Sequence, residues 1–142
     1  MSWEYEGSPS AGVWSCQDLR GFDFSGIDLL GLDFSGSILC EAKFSGSRLW
    51  SANFNYADLS YADFTSADCS NATLNGVLAQ FATFRAAKLA NTQMMLSDFT
   101  YCIFDEADLS LASLVESNLE HASFINTKYH LTVLSDWSMR SG

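Results

Sequence analysis

Six phenylalanines, Phe24, Phe44, Phe64, Phe84, Phe104 and Phe124, recur at an unbroken spacing of twenty residues. Between them leucine or phenylalanine recurs every fifth residue: of the 24 positions in the register from Leu19 to Leu134, 20 are Leu or Phe, the exceptions being Cys69, Ala79, Met94 and Tyr129. Neither regular element accounts for this. On an α-helix a step of five residues advances about 140° beyond a full turn and scatters the set around the axis. On a flat strand an odd step changes face every time. A chain that puts every fifth residue into one core has to turn every five residues, which winds it into a solenoid with one flat side per repeat.

Four sides make a coil of twenty residues. The Phe column then becomes a stack of identical side chains in adjacent coils, about 4.8 Å apart as between hydrogen-bonded strands. The series Asp28, Arg48, Asp68, Lys88, Asp108, Lys128 alternates in sign at the same interval, as neighbouring exposed ladder positions should when like charges repel. Tyr61, Phe81, Tyr101 and His121 make an outer aromatic series at that interval. A triangular coil of fifteen ranks second, because it keeps part of the charge alternation but mixes Phe with Leu in the core column. Two residues before each Leu or Phe, the first coil carries Gln17, Phe22, Ile27 and Leu32, whereas all 20 later equivalents from Ser37 to Thr132 are Ala, Ser, Thr, Cys or Val. Small inward residues let a narrow core close, and bulk in the first coil fills an open end. Gly21, Gly26, Gly31, Gly36, Gly46 and Gly76 fall at the last position of their units and read as corner residues.

The units Ala57-Asp58-Leu59-Ser60-Tyr61, Ala62-Asp63-Phe64-Thr65-Ser66 and Ala107-Asp108-Leu109-Ser110-Leu111 resemble the A-(D/N)-L-x-x signature of the pentapeptide-repeat family, and 24 consecutive units stay in phase. The resemblance implies an all-β fold, a right-handed quadrilateral β-helix of about six coils of four pentapeptides. In it the first and third residues of each unit point inward. The organisation expected is an N-terminal cap segment over 1–16 with Trp3, Tyr5 and Trp14, the β-helix over 17–136, and a C-terminal tail or cap over 137–142 with Trp137. The register weakens from Tyr129. Six coils stack to roughly 29 Å.

Net charge is −10, from 17 acidic against 7 basic side chains, which argues against direct nucleic-acid or anionic-membrane binding. Glu4 and Glu6 stand where a targeting peptide would carry basic residues, and no apolar run approaches a membrane span; a cytoplasmic, bacterial protein is expected. Cys16, Cys40, Cys69 and Cys102 lack metal or redox spacing, and Cys69 and Cys102 fall at inward positions, so they read as reduced core thiols. A disulfide between Cys16 and Cys40 is the alternative. His121 and His130 read as surface residues, and no cofactor or metal is expected. Ser, His and Asp, or the pair Asp105 and Glu106, sit where the repeat puts polar corners on a filled solenoid, so no enzyme activity is expected.

Sorting outward residues by face concentrates acidity on one side. The face of Asp18, Ile38, Asp58, Leu78, Asp98 and Asn118 also carries Glu41, Glu120 and Arg20: five acids and one base, a net of −4. The face of the alternating ladder is neutral, with three acids and three bases. Asp18, Ile38, Asp58, Leu78 and Asp98, bordered by Tyr61, Phe81 and Tyr101, form the candidate partner-binding set, because aromatics supply contact energy and charges supply steering. The expected function is a non-enzymatic protein-interaction module, as a monomer or as a weak dimer through its ends or faces. Quinolone-resistance members of the family, as the resemblance implies, mimic double-stranded DNA and occupy the DNA-binding saddle of type II topoisomerases. DNA gyrase is therefore a second candidate partner. Those members dimerise through a C-terminal helix and carry projecting loops; here the stretch after Leu131 is short and no unit carries an insertion. A purely structural spacer is the third reading.

Overall fold

The computed structural model describes residues 14–134. The predicted cap residues Trp3 and Tyr5 and the tail 137–142 lie outside them. Within them every backbone pairing joins residue i to residue i+20 in parallel: nineteen isolated bridges, from Asp18↔Ile38 to Asp108↔Lys128, followed by β1 (Ser113–Leu114) paired with β2 (Val133–Leu134). A coil of fifteen is thereby excluded.

The five amides of one unit show why the repeat reads as it does. In the unit 57–61, Ala57 N–H closes the preceding corner on Phe54 O at 3.0 Å. Asp58 N–H donates to Ser37 O in the coil before, while Leu59 and Tyr61 N–H donate to Leu78 O and Gln80 O in the coil after. The fifth, Ser60 N–H, has no carbonyl to reach. It donates to the Asp58 carboxylate at 3.1 Å. A buried or half-buried N–H needs an acceptor, and an Asp or Asn two residues back supplies one as an Asx turn. Nine of the 17 acidic residues of the chain sit at this second position, and each accepts the N–H two residues on at 2.9–3.4 Å. Half of the negative charge is therefore coil architecture.

The last residue of every unit from Cys16 to Leu131 has φ between 54° and 70°. Glycine fills six of these corners and non-glycine residues fill eighteen. Left-handed conformation costs an L-residue roughly 1–2 kcal/mol, so Tyr61, Phe81, Leu96 and Tyr101 stand at corners that favour glycine.

From the second coil onward small residues at the first position of each unit, with Leu or Phe at most third positions, fill the interior. Phe24 to Phe124 stack ring on ring at 4.8–5.2 Å with interplanar angles of 6–13°. Phe34 and Phe54 meet this column edge to face from the opposite side. Leu74 and Met94 follow in that opposite column, and Phe99 takes over the edge-to-face role against Phe84 and Phe104 at 6.2 and 5.6 Å.

The coil already includes Trp14, ahead of the expected boundary at residue 17. Trp14 occupies a third-position site, fully buried, with its ring on Phe24 at 5.7 Å and Phe34 at 6.1 Å, and Cys16 forms its corner at φ 55°. Phe22, Ile27 and Leu32 pack half-buried against the core. At the other end the corner geometry and the pairing persist through Leu134, past the weakening at Tyr129. Three corners are opened by a hydroxyl from the next coil. Ser97 Oγ donates to Leu74 O at 2.8 Å and accepts from Val77 N–H at 2.9 Å; Ser37 and Ser117 do the same one coil above their own targets.

Candidate functional site

Asp18, Ile38, Asp58, Leu78, Asp98 and Asn118 form one parallel ladder, so the fold aligns the five predicted ladder residues in a single column. The corner after this column carries Gly21, Glu41, Tyr61, Phe81, Tyr101 and His121. Its aromatics stack at 5.1, 4.9 and 4.7 Å, and Tyr61, Phe81 and Tyr101 are exposed. The corner before it is a second border that the sequence reading missed: Gly36, Tyr56, Gly76, Leu96 and Glu116. Tyr56 is 75% exposed and Leu96 65%. The Tyr56 ring lies over Gly76, where an added Cβ would stand 2.7 Å from Cδ1. The signal was present as a twenty-residue series alternating Gly36, Tyr56, Gly76, Leu96. Among the described residues, seven of the thirteen exposed large apolar ones stand on this one face with its two corners (Ile38, Tyr56, Tyr61, Leu78, Phe81, Leu96 and Tyr101), so apolar area coincides with the most acidic side.

Ile38 and Leu78 occupy second positions where an Asp or Asn would cap. Gln80 N–H finds no acceptor among the described residues, so coil architecture gives no reason for Leu78. The acids beside it are engaged. Asp98 accepts from Thr100 N–H, from the Thr100 hydroxyl and from Gln80 Nε2 at 2.8 Å. Burial pushes the Asp58 carboxyl up, but hydrogen bonds from the Ser60 hydroxyl, the Ser60 amide and the Cys40 thiol outweigh it, and the net shift is downward. The same environment, burial first and then Asp58, pushes the Cys40 thiol up to about 11. Arg20 pairs with Asp18 at 2.8 Å and lowers its pKa by hydrogen bonding.

All four cysteines are free, so the alternative of a Cys16–Cys40 disulfide is overturned; Cys16 is exposed on a corner and Cys40 stands beside Asp58. Cys69 and Cys102 are buried. On the neutral face the alternation holds in the ladder, yet only Asp28 and Arg48 close an ion pair, at 3.4 Å. Asp105 is buried, accepting from Ser123 Oγ at 2.6 Å and Ile125 N–H at 2.9 Å, with Arg85 at 3.5 Å. It is thus a cap for the next coil. Among the described residues no group of His, Cys, Asp or Glu could hold a metal ion, and no helix is long and apolar enough to cross a membrane.

The family model for pentapeptide repeats matches residues 17–46, 42–78, 80–114 and 102–128. The chain belongs to the pentapeptide-repeat family. This pentapeptide-repeat protein shares the right-handed quadrilateral β-helix of solved relatives. The pentapeptide repeat protein Rfr23 from the cyanobacterium Cyanothece 51142 superposes with a TM-score of 0.66 at 16% identity, covering 84% of this chain and 92% of that one. QnrB1, a plasmid-mediated fluoroquinolone resistance protein, gives 0.52 at 17% identity over 91% and 89%. The pentapeptide repeat protein alr5209 from Nostoc PCC 7120 gives 0.50 at 27% identity over 57% and 70%. No curated protein matches the sequence.

Proposed function

We propose that this pentapeptide-repeat protein is a non-enzymatic interaction module of the bacterial cytoplasm that binds a protein partner through the face of Asp18, Ile38, Asp58, Leu78 and Asp98 and its corner of Tyr61, Phe81 and Tyr101. The observation that carries the reading is the placing of Leu78. It forgoes the Asx cap, lies 53% exposed between Asp58 and Asp98 in the ladder, and is flanked by aromatic corners. An apolar centre with a charged surround is the anatomy of a protein-binding patch. The free thiols support a reducing compartment.

A pull-down with Leu78→Ser combined with Phe81→Ser tests it. Loss of a specific partner at unchanged circular dichroism supports the reading. A spacer role instead predicts that Tyr61→Ala with Phe81→Ala lowers thermal stability and leaves every partner bound.

A second reading is a DNA mimic that inhibits or protects a type II topoisomerase such as gyrase. The −10 charge and the rod of coils favour it; the likeness to QnrB1 is one of fold, and the neutral ladder face and the acidity invested in Asx caps weigh against it. No effect on gyrase supercoiling or on its fluoroquinolone sensitivity at micromolar protein removes it.

A further inference from the structure

Along the corner Gly21, Glu41, Tyr61, Phe81, Tyr101, His121 the four rings lie face to face, with interplanar angles of 7°, 4° and 19°. An aromatic face carries the negative part of the ring quadrupole and the edge the positive part. Stacking therefore hides the cation-attracting surfaces of Phe81 and Tyr101 between neighbours. Tyr61 begins the stack. One of its faces lies on Phe81 and the other is turned along the column toward the coil of Glu41.

Glu41 is exposed at a left-handed corner, and its carboxylate makes no hydrogen bond or ion pair with any described residue. One coil below, Gly21 has no side chain, and apart from its chain neighbours no described residue lies within 4 Å of where its Cβ would be. The one basic residue of this face, Arg20, is engaged by Asp18, through Nε at 3.0 Å and Nη2 at 2.8 Å. The corner thus joins an exposed aromatic ring, a carboxylate with no partner among the described residues and a glycine one coil below.

We propose that Glu41 and Tyr61 form a socket for an arginine side chain of the protein partner, the guanidinium lying flat on Tyr61 and paired with the Glu41 carboxylate. The inference rests on the interaction face described above and names the chemistry of its partner. Arginine suits the site better than lysine, because a planar, weakly hydrated guanidinium stacks on a ring and pairs bidentately with a carboxylate. The net charge of −4 on the face favours a cationic partner, and Ile38 on the neighbouring ladder offers apolar contact beside it.

The test is an NMR titration of the full chain with an acetylated, amidated peptide of one arginine flanked by leucines, against the same peptide carrying citrulline. The arginine peptide should shift the resonances of Gly21, Glu41 and Tyr61 at weak affinity, in the range of tens of millimolar, and the citrulline peptide should not. Glu41→Gln and Tyr61→Leu should each weaken binding by about fivefold, and Tyr61→Phe should retain it. Equal binding of the citrulline peptide, shifts away from this column, or indifference to Glu41→Gln and Tyr61→Leu would overturn the socket. A captured partner that is lost with Leu78→Ser but kept with Glu41→Gln likewise removes the socket while leaving the interaction face standing.

Discussion

Asp58 has two duties that substitution separates. Its Oδ1 accepts Ser60 N–H at 3.1 Å and Ser60 Oγ–H at 2.8 Å, and its charge adds to the acidic face. Asp58→Ala removes the acceptor of both bonds and leaves Ser60 N–H in a half-buried segment with nothing to bond. A lost cap of this kind costs about 1 kcal/mol, within roughly 0.5–2, which lowers Tm by about 3–4 °C in a domain of this size. Asp58→Asn removes only the charge. The coil itself contains the precedent: Asn53 and Asn118 accept the N–H of Asn55 and Glu120 at 2.9 Å, as the aspartates do. Asp58→Asn should therefore unfold within about 0.5 kcal/mol of the parent. Thermal and urea denaturation followed by far-ultraviolet circular dichroism measure both variants. If Asn destabilises as much as Ala, or if neither shifts the transition, the carboxylates do not cap the strands and the account of the repeat is wrong.

Phe84 lies between Phe64 and Phe104 at 4.8 and 5.2 Å, fully buried, so Phe84→Ala should cost about 3–5 kcal/mol in urea denaturation. Ala86 holds φ 57°; Ala86→Gly should raise stability by roughly 0.5–1 kcal/mol, and Gly26→Ala, where a Cβ meets nothing, should lose a similar amount. Gly76→Ala should cost more than Gly26→Ala, because the Tyr56 ring must move. Hydrogen bonding holds the carboxyls of Asp23 and Asp108 below their ordinary values, and at Asp58 and Asp105 it outweighs burial. The folded state thus binds fewer protons than the unfolded one in acid. Stability should be level above about pH 5 and fall from about pH 4 downward as these groups protonate, and a Tm that stays constant to pH 2 would contradict it.

The coil length, the core columns and the glycine corners were legible because burial in a closed coil demands strict periodicity, and periodicity survives in a sequence. Side-chain reach does not. The ladder from Asp28 to Lys128 alternates in sign throughout, yet only Asp28 and Arg48 come within ion-pair distance, since exposed pairs gain too little to hold long side chains in place. The left-handed corners at Tyr61 and Leu96 were hidden because those residues carry no preference for that conformation; only glycine announces it. Trp14 falls in a stretch without the small first-position and Leu or Phe third-position pattern, which reads as a cap, although the residue itself stands in the register and is buried. The hydroxyls of Ser37, Ser97 and Ser117 look like other small first-position residues until the opened corners below them are seen. The candidate face was half legible: its ladder and one corner followed from spacing, and Tyr56 and Leu96 on the other corner did not.

The most direct test compares two triple variants matched in charge and in structural position. Asp18, Asp58 and Asp98 to Asn neutralises the proposed face, and Asp28, Asp68 and Asp108 to Asn neutralises the ladder face; all six are Asx caps, so stability changes should match. Affinity for the captured partner should fall in the first variant and hold in the second. Equal loss in both would show that net charge alone is recognised and would contradict a specific interaction face.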